Sequence, residues 1–137
     1  MNRMSSTRFS QPPSLDDIEA IAARAFETIP EELRRHVRDV VIRVEEFPDE
    51  ETEREMGLES PFDLLGLYRG ISLDRKSVSH TPSDLDMIFL YRRPILDYWC
   101  DEGEDLTHLV RHVLIHEIGH HFGLSDEDME AIEAAAG

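Results

Sequence analysis

His116-Glu117-Ile118-Gly119-His120-His121-Phe122-Gly123-Leu124-Ser125-Asp126 is the stretch on which the reading of the whole chain turns. It contains His-Glu-x-x-His, followed at three-residue steps by Gly123 and Asp126. On an α-helix, residues four apart lie one turn along the axis and about 40° around it, so the imidazoles of His116 and His120 project side by side. Two such nitrogens can each approach one zinc ion at roughly 2.0–2.1 Å, and a catalytic zinc needs a third protein ligand and an open fourth position. A helix continued past His120 would carry the next side chain away from the ion, so the chain has to turn. Gly123 is the residue type that takes positive φ just past a helix end, and reversal there can bring the carboxylate of Asp126 back toward the same ion.

Glu117 separates chemistry from mere binding. Beside the first ligand, it can take a proton from a zinc-activated water as general base and pass it to a leaving amine. From Val113 to Phe122 the helix is apolar nearly all round, and Glu117 falls in the arc of Leu106, Val110 and Val113, where a carboxylate calls for a reason. In shuffled sequences of this composition His-Glu-x-x-His arises in roughly 4% of cases, and the string extended by Gly and Asp in about 2 in 10,000. Rival ligands sit close by. His108 and His112 continue the four-residue stripe, and His112 with His116 is a second pair able to hold metal, but Val113 stands where a base would be needed. Glu127, Glu130 and Glu133 can in principle replace Asp126, although spacing from the turn favours Asp126. His121 points about 100° away from His120, which suits a structural role or a hydrogen bond to a ligand.

The run from His116 to Asp126 resembles the zincin metallopeptidases, and within them the metzincin pattern with Asp as third ligand. More narrowly, a short chain ending in HEIGHHFGLSDEDM resembles the small bacterial proteins of the zincin-like metallopeptidase family. The resemblance implies His116, His120 and Asp126 as ligands of Zn²⁺ and Glu117 as the catalytic base. It also implies a peptide substrate held along the strand that precedes the active-site helix. The larger metzincins carry a methionine-bearing turn well after the third ligand; here 11 residues follow Asp126, and Met129 is the nearest counterpart.

The remaining sequence sets the frame. A chain of 137 residues with 40% hydrophobic and 32% charged residues fits one globular domain with a modest core, residues 14–137 behind a disordered polar tail, 1–13. No apolar run approaches the roughly 18 residues of a membrane span, and the N-terminal residues lack the apolar core of a secretory signal. A cytoplasmic location is the default expectation. The single Cys100 cannot form an intrachain disulfide and is expected to be a small buried hydrophobe. A net charge of −16 opposes binding to nucleic acid and to anionic membrane surfaces.

In chain order, Ser14 caps a helix to about Thr28, and Pro30 opens a short helix to about His36. Val40–Val44 is a strand, and Asp49–Glu55 an exposed helical turn or loop. Leu64–Leu73 is a second strand with Gly66 and Gly70 allowing close approach. Asp74–Asp84 is a loop containing His80. Met87–Arg92 is a third strand, closed off by Pro94 and expected at the sheet edge, where an extended peptide would add by main-chain hydrogen bonds. Tyr91 there suits either an oxyanion-stabilising phenol or a packing role. The active-site helix spans about Glu104 to Phe122, and Ser125 caps a last helix to Ala136. The expected architecture is α+β, a minimal zincin-like fold: a small mixed sheet of three or four strands, an N-terminal helix, the HExxH helix and a short C-terminal helix. The expected function is zinc-dependent peptide-bond hydrolysis. The alternative is a non-catalytic metal-containing peptide- or partner-binding module, whose metal would be closed by a fourth protein ligand such as His112.

Overall fold

The computed structural model describes residues 11–37, 40–70 and 86–136; most of the polar tail, the Asp74–Asp84 loop with His80, and the side chain of His36 lie outside that set. Helix α1 (Leu15–Glu27) begins as its sequence dictates: Asp17 N–H donates to Ser14 Oγ at 3.0 Å, and Ser14 N–H donates to Asp17 Oδ2 at 2.8 Å. This reciprocal cap satisfies two otherwise orphaned donors. Ile18, Ile21, Ala22 and Ala25, spaced at helical steps, are the buried face. The short α2 (Glu31–Arg34) follows Pro30 and runs into a 3₁₀ turn, Arg35–Val37. Strand β1 (Val41–Glu45) is followed by α3 (Glu50–Met56), capped by Asp49 and closed by Gly57.

Strands β2 (Gly66–Arg69) and β3 (Met87–Tyr91) complete a three-stranded mixed sheet in the order β1-β3-β2, with β3 parallel to β1 and antiparallel to β2. The expectation that Met87–Arg92 forms the edge is therefore corrected: β3 is the central strand. The cause lies in its composition, since Ile88 and Leu90 are wholly buried, and the most apolar strand takes the position where both sides of its backbone are paired. Opposite β3, the pair Leu65–Tyr91 is hydrogen-bonded, Tyr91 N–H to Leu65 O at 3.0 Å. With antiparallel alternation, Leu67 and Arg69 also turn their backbone groups to β3, and Tyr68 turns its own outward.

β3 ends before Pro94, as expected, but the proline closes only the strand. The chain passes directly into an unforeseen helix, α4 (Arg92–Glu102), with Pro94 in its first turn, where a missing N–H costs nothing. Cys100 lies on α4 and is exposed, not buried. After Gly103, at φ +68°, comes α5 (Leu106–His121), the long helix bearing the motif, with Asp105 accepting the His108 N–H as its cap. Leu109, Leu114, Ile115 and Ile118 on α5 are buried against α1 and the sheet, each stabilising the fold by about 1.5–3 kcal/mol. Among the described residues no helix is long and apolar enough to cross a membrane.

Gly123 reverses the chain as expected, at φ +75°. Leu124 N–H donates to Gly119 O at 2.8 Å and Gly123 N–H to His120 O at 3.2 Å, the paired bonds of a Schellman end. Ser125 then caps α6 (Asp126–Ala136), exchanging hydrogen bonds with Asp128. The two helices pack closely because Gly119 has no side chain: a Cβ there would collide with Met129 Sδ and lie 2.8 Å from Met129 Cγ, and Met129 is wholly buried. Gly119→Ala is expected to destabilise the protein. Overpacking costs about 1–3 kcal/mol, outweighing the gain of up to about 1 kcal/mol in helix propensity. A lower urea midpoint checks this, and a variant as stable as the wild type would disprove the tight fit.

Candidate metal centre

The helical spacing of His116 and His120 brings their rings to a centroid separation of 5.9 Å, nearly perpendicular at 82°. His116 is half-buried and His120 exposed. Asp126 is the first residue of α6, exposed, and without a hydrogen bond or ion pair among the described residues. Its carboxylate does not gather with both imidazoles. The trio whose ligand atoms all lie within 4.8 Å of one another is His112, His116 and Glu133. Glu133 Oε2 accepts from His116 Nε2 at 2.8 Å and lies 2.9 Å from His112 Nδ1. The two rings are 4.1 Å apart, tilted by 33°.

The placement of Glu133 follows from helix register. α6 folds back antiparallel to α5, Met129 seats against Gly119, and Glu133, one turn further along, falls beside His116 and His112. Asp126 stays level with the turn. The sequence reading weighed both carboxylates and preferred the one nearer the turn; the signal that could have favoured Glu133 is the Met129–Glu133 spacing of four, one face of α6. Imidazole nitrogen and carboxylate oxygen are ordinary zinc ligands, so the donor types along this helical hairpin fit the ion that the motif implies.

Glu117 is the other informative group. Its side chain leaves α5 toward the sheet, where Tyr68 N–H, the outward-facing donor of β2, meets Glu117 Oε1 at 3.2 Å. Burial raises the pKa of Glu117; the Tyr68 N–H and the neighbouring His120 pull the other way without cancelling the rise. A carboxylate enclosed by apolar side chains is a stronger base than one in water.

The surroundings hold this edge in place. His121 stacks on Tyr68 with centroids 4.0 Å apart, and a Cβ at Gly70 would lie 2.6 Å from His121 Cε1. His121 is thus a packing residue. Gly66 likewise admits α5, since a Cβ there would lie 2.6 Å from Val113 Cγ1. The Tyr68 hydroxyl donates to Asp86 Oδ2 at 2.9 Å, and burial, then Asp86, raises its pKa. Tyr91 is 2% exposed, lies parallel to Phe89 at 6.3 Å, and lines a small cavity with Glu45, Asp49 and Arg69. Burial, then the charges of Glu45 and Asp49, pushes its phenol up to about 12. His108 is exposed.

A search of curated proteins finds no match. The pattern of the family described as zincin-like metallopeptidase matches residues 37–136, a span that holds the whole mixed sheet, the HExxH helix and the helix folded back on it; the chain belongs to the zincin-like metallopeptidase family.

Proposed function

We propose that this protein is a zinc-dependent metallopeptidase that hydrolyses peptide bonds, with His116, His120 and Asp126 holding the metal and Glu117 as general base. Membership of the family supports a zinc peptidase in general; the observation that carries the finer reading is the position of Glu117. It is a part-buried carboxylate of raised basicity, next in sequence to His116, under the influence of His120, at the outward edge of β2. A zinc ion held by His116, His120 and Asp126 would polarise the scissile carbonyl and acidify a water. Glu117 Oε1 is anchored by Tyr68 N–H, which leaves Oε2 to receive the water's proton and hand it to the departing amine.

Substrate placement follows from the sheet. The outer edge of β2 offers the Tyr68 carbonyl, its N–H being held by Glu117, and an extended peptide laid along that edge would pair by main-chain hydrogen bonds with its side chains alternating in and out. β2 thus takes the substrate-binding role that the sequence reading gave to Met87–Arg92. Purified protein is expected to bind zinc stoichiometrically and to cleave members of an unbiased peptide library, with cleavage lost on chelation and regained with added zinc. Protein that binds no zinc, or cleavage that ignores chelators, would defeat the reading.

One observation favours a second reading, a non-catalytic partner-binding module that keeps a metal for stability. His112 stands beside His116 with a carboxylate shared between them, as a closed site would require. Metal spectroscopy separates the two: an exchangeable water in the coordination sphere belongs to the enzyme, a fourth protein ligand to the module.

A further inference from the structure

We propose that His112, His116 and Glu133 form a second divalent-cation site that competes with the HExxH site for His116, so that the two are occupied in alternation. The donors come from two helices clamped together by the Gly119–Met129 contact, so their proximity does not depend on an exposed loop. His112 Nδ1, His116 Nε2 and a Glu133 oxygen make a nitrogen-rich set of the kind that selects zinc and its neighbours over calcium or magnesium. In the metal-free protein the Glu133 carboxylate accepts from both rings, at 2.8 and 2.9 Å. Ligand atoms on a tetrahedral zinc stand roughly 3.3 Å apart, so a cation needs the carboxylate to withdraw slightly from both rings and the ring nitrogens, which lie within 4.8 Å of each other, to settle near that separation.

The protons balance. Each neutral imidazole keeps one N–H by moving it to the other nitrogen, to Nε2 in His112 and to Nδ1 in His116, and the lone pairs so freed face the cation. No proton is released and no other group is needed. His116 is the residue that both sites require, and its Nε2 is the nitrogen engaged by Glu133, so the sites compete where the HExxH pair draws on that same nitrogen. A single lone pair binds one ion, and occupancy of the second site therefore withdraws the first ligand of the HExxH site. In consequence, and resting here on the proposed peptidase reading, the chain holds one equivalent in total, and the share of it at the second site, fixed by the two affinities at any zinc concentration, hydrolyses no peptide.

The test uses the full chain with Zn²⁺ and Co²⁺ as probes, reading metal affinity by competition with a chromophoric chelator and coordination by the visible Co²⁺ spectrum. The double variant His120→Ala/Asp126→Ala, checked for folding by circular dichroism, is expected to bind one equivalent. Adding His112→Ala and Glu133→Gln is expected to weaken that binding by at least about tenfold, the minimum cost of a lost metal-site partner. No binding by the folded double variant, or binding that survives the two added substitutions, overturns the proposal. Glu133→Gln alone, in the same double-variant background, repeats the test should the larger combination not fold: its affinity is expected to fall, and an unchanged affinity counts against the second site. The peptidase reading fails separately. If His112→Ala/Glu133→Gln binds no zinc while His120→Ala/Asp126→Ala does, the second site stands and the HExxH site does not.

Discussion

Glu117→Gln is expected to lower kcat/KM for peptide hydrolysis by about 10²–10⁴-fold, the usual share of a general base, while leaving zinc stoichiometry unchanged. Glutamine has nearly the same shape and its amide oxygen can still accept the Tyr68 N–H, so the edge of β2 keeps its partner and only the proton acceptor is lost. Stability provides the control. Burial raises the folded pKa of Glu117 above its ordinary value of 4.5. Below that value the carboxyl is protonated in both the folded and the unfolded chain and costs nothing. As pH rises from there through the raised native value, the unfolded chain ionises more readily than the folded one, and stability is lost. Metal-free Glu117→Gln should accordingly match the wild type in acid and exceed it in urea midpoint at neutral pH. A variant that loses activity and stability together would point to misfolding rather than to missing chemistry, and undiminished hydrolysis would remove Glu117 from the mechanism.

His116→Ala is expected to abolish metal binding altogether, with affinity for zinc falling by more than about 100-fold, beyond what loss of an outer partner costs. His116 is the one side chain common to the motif pair and to the trio with His112 and Glu133, so no alternative donor set survives its removal. His120→Ala and His112→Ala should each leave a measurable site. Equilibrium dialysis with zinc decides the point, and a His116→Ala protein that still holds one equivalent would show that neither arrangement is the metal centre. The fold should tolerate the change, because His116 contacts the buried interior only in part.

Much of this architecture can be read from residue order. Ser14 with Asp17, Asp49 before α3, and Gly123 after His121 are local signals whose physics is complete within a few residues, and each performs as its type dictates. The β-branched run of β1 and the apolar run of β3 give strands within a residue or so of their observed limits. What depends on partners distant in sequence was not legible. Strand order is one such case: the apolar run Met87–Tyr91 suits a central strand, but which strands flank it depends on β1 and β2 reaching it from either side. α4 was hidden by Pro94, which reads as a stop when it stands inside a helix and is harmless in the first turn. The metal site divides the same way. The pairing of His116 with His120 follows from helical pitch alone, whereas the contact of Glu133 with His116 depends on how deeply α6 slides along α5, a matter of packing between two helices.

That depth is set by a thioether resting where a glycine leaves room. Met129 and Glu133 ride on the same face of α6, so whatever shifts the first carries the second with it. A substitution wholly inside the hydrophobic interior, such as a branched residue in place of Met129, would move a carboxylate against the imidazoles on the surface. Should the proposed trio hold a cation, its affinity would be tuned from within, by side chains that no dissolved ion ever meets.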